Sequence, residues 1–197
     1  MRCRDRCRRL PAGASFRCVT TDDDLAVLRR ALDQLAALLA DVRSDRSGDP
    51  TPCSEWTVQD LVDHVVAAPT RFARMLRDQP IDWAAPSPPA GDDPADAFRA
   101  HADNLLDAWR DHSGPVEGAS PDWQCAELAV HTWDLATAVG APTSTLDPQV
   151  AERGLALMRS SLTPENRGPV FGPEQPAPED ADAYERIAAF AGRTVRT

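Results

Sequence analysis

Residues 120–140 read SPDWQCAELAVHTWDLATAVG. Serine followed by proline is a helix start, because the serine side chain accepts from an orphan backbone N–H and proline lacks the donor that would otherwise be orphaned beside it. Glycine at the far end is a helix stop. Between them lie alanines and branched apolar residues with no alternation of period two, so the stretch predicts a helix over 121–139. The same Asx/Ser-Pro signature recurs at Asp93-Pro94 and Asp147-Pro148 and predicts helices over 94–111 and 148–161. No segment alternates long enough to read as a strand, and the fold class follows as all-α.

The rest of the chain fits that reading. Leu25, Leu28, Leu32, Leu35, Leu38, Leu39 and Val42 fall at helical spacing and predict a first helix over 22–43. Thr57 with Asp60 three residues later resembles a capping box, opening a second helix that runs to about residue 77. Pro69 lies inside it and is expected to kink or split it, since proline removes one donor and crowds the preceding turn. Residues 79–93 form a Pro/Asp/Gly connection and 163–179 an irregular one, before a short last helix over 181–191 carrying Tyr184, Ile187 and Phe190. The expected architecture is a four-helix bundle with short additional C-terminal helices. Two parts are expected: a basic, disordered arm over 1–20 and one helical domain over 21–197.

Composition narrows the function. The net charge is −10, but residues 1–19 carry six Arg against Asp5, so the remainder is more acidic still. An acidic body argues against nucleic acid as a partner, because such binding neutralises phosphates with clustered cations. No apolar run reaches the roughly 18 residues of a membrane span, and no apolar core of a signal peptide follows the basic start. A cytoplasmic protein without a membrane partner is the expectation, with a homodimer through an exposed bundle face compatible with it. The chain has no Lys, which removes Schiff-base and P-loop lysine chemistry. Of the five Cys, three (Cys3, Cys7, Cys18) lie in the arm without the CxxC spacing or nearby His of a zinc knuckle.

Four histidines remain to carry chemistry: His64, His101, His112 and His131. Glu127 and His131 are four apart on one helix and project from one face a turn apart, so they can converge on a single ion. His64, mid-helix among Val62, Val65 and Val66, is the best third ligand. The same spacing also suits a buried, hydrogen-bonded histidine with no ion, and residues alone leave both readings open. Asp134 reads either as an acceptor behind His131 or as a surface charge, Trp56 and Trp133 as packing residues, and Arg71 and Arg74 as solvated helix charges or carboxylate contacts. Cys125 reads as a small buried hydrophobe, and HExxH, GxSxG and GxGxxG motifs are absent from the sequence.

Two stretches carry a resemblance. TPCSEWTVQDLVDHVV (51–66) and ELAVHTWDLATAVG (127–140) resemble the paired signatures of the DinB/YfiT-like superfamily and of the mycothiol-dependent maleylpyruvate isomerase N-terminal domain. RFARMLR (71–77) and FGPEQPAPEDADAYERIAAFAGR (171–193) are more similar to an actinobacterial subgroup of metal-binding proteins. The resemblance covers about 22–193. It implies a DinB-like bundle holding a divalent metal, usually Zn2+, on His64, Glu127 and His131, with mycothiol as the thiol cosubstrate and a small electrophile as substrate. A thiol transferase or isomerase is thereby implied, with a non-catalytic metal-binding or small-ligand-binding bundle as the alternative. Two departures accompany it: 111–123 is shorter than in relatives, which predicts an altered substrate pocket, and the isomerase's larger C-terminal domain has no counterpart.

Overall fold

The computed structural model describes residues 7–8, 17–18, 20–53, 56–114, 120–167 and 171–195. Of the basic arm it describes only Cys7–Arg8 and Arg17–Cys18, two-residue strands paired antiparallel. The expectation of a disordered arm otherwise lies outside the described residues. Six α-helices carry the fold: α1 (Asp22–Ala40), α2 (Val58–Leu76), α3 (Pro94–Asp111), α4 (Pro121–Val139), α5 (Pro148–Ser161) and α6 (Ala183–Phe190).

Their starts are chemically explicit. Thr21 with Asp24, Thr57 with Asp60 and Asp182 with Glu185 form reciprocal capping boxes at α1, α2 and α6. Asp93, Ser120 and Asp147 cap α3, α4 and α5, each followed by proline in the first turn. Gly140 closes α4 in the left-handed conformation at φ 75°. The first helix is shorter than its apolar spacing suggests, ending at Ala40 with Asp41 as its C-cap before a 3₁₀ turn at Ser44–Arg46. Arg46 then donates to the carbonyls of Ala138 (2.8 Å) and Val139 (3.0 Å), satisfying acceptors that the end of α4 leaves open.

Pro69 does not split α2, which is one continuous helix through it. The carbonyl of Val66, one turn earlier, accepts from His101 Nδ1 at 2.8 Å, and the last-turn carbonyl of Leu76 accepts from His112 Nδ1 at 3.0 Å. Two of the four histidines therefore stitch α3 to α2 through backbone acceptors.

Helices α1 to α4 form the bundle, with α1 against α3 and α4, and α2 against α3 and, more loosely, α4. Helices α5 and α6 cover the outer side of α4. Enclosure on both sides explains why α4 is not amphipathic, with Cys125, Ala129, Leu135 and Asp134 all at 0 % exposure. Small residues permit this crowding. At Gly154 of α5 a Cβ would lie 2.7 Å from Ala126 Cα and 2.9 Å from its N, so only glycine allows that approach. Arg153 beside it pairs with Asp24 of α1 and, at 2.5 Å, with Asp122 of α4. None of the described helices is long and apolar enough to cross a membrane.

Candidate metal centre

The seam between α2 and α4 brings together the three side chains singled out by spacing. Glu127 Oε1 lies 3.0 Å from His64 Nε2 and 3.4 Å from His131 Nε2. One ligand atom from each residue lies within 4.8 Å of the others, the one such His/Cys/Asp/Glu grouping among the described residues. A tetrahedral ion with bonds of about 2.1 Å has ligand-to-ligand edges of about 3.4 Å, so the Glu127–His131 edge already has that length and the Glu127–His64 edge falls about 0.4 Å short of it. The donor set of two imidazoles and one carboxylate is that of hydrolytic zinc sites, in which a fourth position stays open. The residues present therefore fit a divalent ion. His101 and His112 are engaged elsewhere.

Behind His131 stands a second layer, Asp134 from α4 and Arg193 from the turn after α6. His131 Nδ1 lies 3.1 Å from Asp134 Oδ2, which directs Nε2 toward Glu127 and the cleft. Asp134 is completely buried, and Arg193 forks onto both its oxygens, Nε at 3.1 Å to Oδ1 and Nη2 at 3.0 Å to Oδ2. Backbone geometry aims that arginine. Gly192 ends α6 at φ 95°, and a Cβ on it would sit 2.7 Å from Gly172 Cα, so both its conformation and its contact demand glycine. Arg193 N then donates to Ala188 O at 2.9 Å, completing the helix cap. Asp134 is thus the acceptor behind His131, and Arg193 is the site residue that motif reading misses. Its signal was indirect: an aspartate inside an apolar helix needs a cation from somewhere.

Charge follows this geometry. Burial works to raise the Glu127 carboxyl, but His131 and the hydrogen bonds from both histidines outweigh it and hold it well below the usual carboxylate range. Burial works to lower His131, yet Glu127 and Asp134 outweigh it and raise it to about 9. Asp134 is likewise depressed against its burial by His131 and Arg193. The two described cysteines go the other way. Burial pushes the Cys53 thiol up, with Arg193 opposing, and pushes Cys125 up to about 12. Neither is a thiolate nucleophile at neutral pH.

Trp56 packs against both imidazoles, its ring centroid 4.7 Å from that of His64 and 5.9 Å from that of His131. It is a packing residue, but its packing partners are the candidate ligands. All three candidate ligands line a cleft of about 1480 Å³ that Trp133 and Arg71 also border. Arg74 instead donates to the carbonyl of Pro80. The altered pocket expected beside 111–123 falls in part on 115–119, outside the described residues.

The family model of the mycothiol maleylpyruvate isomerase N-terminal domain matches residues 28–136, a span that holds His64, Glu127, His131 and Asp134 and stops before α5, α6 and Arg193. Uncharacterised proteins of two Mycobacterium tuberculosis strains, CDC 1551 and H37Rv, are each 38 % identical over 190 residues, covering 88 % of this chain and 100 % of theirs. No solved structure gives a significant match.

Proposed function

The chain belongs to the mycothiol maleylpyruvate isomerase N-terminal domain family, and on that premise we propose that it is a zinc-dependent thiol transferase or isomerase, joining mycothiol or a similar small thiol to a small electrophile. The observation that carries the reading is that the His64–Glu127–His131 cluster lines an open cleft rather than a sealed core. His64 Nε2, His131 Nε2 and Glu127 would hold the ion. When bound, such an ion lowers the pKa of a thiol at its open position, so that a thiolate exists near neutral pH.

The chain's own groups do the rest. Asp134, held by Arg193, accepts the Nδ1–H of His131 and so turns Nε2 toward the ion site, where an ion would displace the Nε2 proton. Trp56 packs on both imidazoles and shields them from water on that side. Cys53 and Cys125 are both held as neutral thiols, so neither serves as the nucleophile, a role this reading gives to the small thiol. A cytoplasmic setting suits this chemistry, because it keeps small thiols reduced.

The test has two stages. Elemental analysis of tag-free protein is expected to give one zinc per chain and a marked loss in His64→Ala. Metal content unchanged by that substitution removes the site. Incubation of the metal-loaded protein with mycothiol and a panel of electrophiles is then expected to accelerate adduct formation or isomerisation. Stoichiometric zinc with no acceleration for any electrophile leaves a binding bundle in place of an enzyme.

A further inference from the structure

Beyond His64 and Glu127 the space between α2 and α4 continues as a lobe of about 500 Å³ that is more apolar than the main cleft it adjoins. The main cleft is mixed in character, bordered by Arg46, Glu185 and Arg193 as well as by Trp56, Trp133 and Phe171. The lobe is walled by Ala68, Phe72 and Met75, which follow His64 along one face of α2, by Trp123 one turn before Glu127, and by Trp83 from the connection before α3. Arg71 is the one cation lining it, and it donates to Ala85 O at 2.9 Å, tying that connection to α2.

Trp83 makes the lobe more than a packing gap. It is 53 % exposed, the one exposed large hydrophobic side chain among the described residues, and its ring centroid lies 5.8 Å from that of Phe72. An indole at the rim of an aromatic cavity is placed to cover a ligand inside it, and this volume falls within the range of small-molecule sites. His64, Arg71, Trp83, Trp123 and Glu127 line both spaces, while Ala68, Phe72 and Met75 belong to the lobe, so a molecule in the lobe abuts the same His64 and Glu127 side chains as a molecule in the main cleft.

We infer that this lobe is the electrophile's subsite, and that it selects compounds with a flat apolar body of one or two rings and no more than one anionic group. The inference rests on the transferase or isomerase reading for the word electrophile, but the binding preference is measurable without it. A dianion without an apolar body would leave the aromatic walls in water and meet Glu127 with Arg71 as its one counter-charge in the lobe.

The experiment is calorimetric titration of the full-length protein, as purified and after chelation, with 4-phenylbutan-2-one, an unreactive aromatic ketone, and with maleate, a small dianion. The ketone is expected to bind at least ten-fold more tightly than maleate in both preparations. Trp83→Ala should weaken the ketone five-fold or more, and Trp83→Phe should restore most of the affinity. Because Trp83 is half-exposed, both variants are expected to keep the wild-type circular dichroism and zinc content. Maleate binding as tightly as the ketone, or ketone affinity unchanged in Trp83→Ala, overturns the inference. The chelated preparation holds neither ion nor thiol, so a missing zinc or an absent adduct refutes the proposed function and leaves the titration of that preparation to decide the subsite by itself.

Discussion

Replacing Arg193 with methionine tests whether the C-terminal turn serves the candidate metal centre. The substitution keeps an unbranched apolar side chain against its neighbours but removes both hydrogen bonds to Asp134, at 3.0 and 3.1 Å. Asp134 has no exposed surface, so its carboxylate would keep only the His131 N–H as a hydrogen-bond partner among those described here. Removing one partner of a buried ion pair typically destabilises by about 3–5 kcal/mol, because a buried charge is left uncompensated. Arg193 is 12 % exposed in its side chain, so water reaches part of the pair and the lower end, about 3 kcal/mol, is expected. Metal affinity is expected to fall about 10- to 100-fold, the usual effect of losing the group behind a ligating histidine. That corresponds to about 1.4–2.7 kcal/mol. Denaturant unfolding reads the first quantity and competition with a chromophoric zinc chelator reads the second. The double variant Arg193→Met/Asp134→Asn separates them. It removes the stranded charge and should recover much of the stability, while zinc affinity stays low because an amide is a weaker acceptor for His131. A folded Arg193→Met protein with wild-type zinc affinity refutes the positioning role.

Three further outcomes follow from the same structure. Gly154→Ala places a methyl 2.7 Å from the α4 backbone at Ala126 and should destabilise by about 1–3 kcal/mol in chemical denaturation, since backbone cannot yield as a flexible side chain does; an unchanged midpoint contradicts the packing. Burial works to raise Asp24, but Arg153 and Thr21 outweigh it and depress it, so its contribution is complete above the unfolded value near 3.8 and is lost as pH falls through the lower folded value. Asp24→Asn should therefore lower stability at pH 7 while showing less further loss between about pH 5 and 2 than wild type, and parallel acid limbs in the two proteins count against it. Cys53→Ser should leave any thiol-dependent turnover intact, and iodoacetamide should label Cys125 only on unfolding; a Cys53→Ser protein without activity would make Cys53 a participant.

Helix starts were legible because their signals are local: a capping residue and a proline or acid within three positions determine them. Pro69 was legible as a perturbation but not in outcome, because whether a helix runs on through a proline depends on the packing around it, and α2 is packed along α3. His64, Glu127 and His131 could be nominated from one helical turn plus a second helix, and the fold places them together. Arg193 could not. Its link to Asp134 spans 59 positions and depends on a left-handed glycine fitting against Gly172, neither of which leaves a periodic trace in the chain. The aromatic lobe was hidden for a similar reason, since Trp83 sits in an irregular connection and meets α2 only after folding.

X-ray absorption at the zinc edge tests the central claim most directly, on protein loaded with one equivalent of zinc and measured with and without mycothiol. The structure predicts two imidazoles and a carboxylate oxygen at about 2.0–2.2 Å plus one exchangeable light atom, and a single new sulfur at about 2.3 Å when the thiol is added. His64→Ala should lose one imidazole from that spectrum. A spectrum in which His64→Ala changes nothing, or to which mycothiol adds no sulfur, contradicts the account.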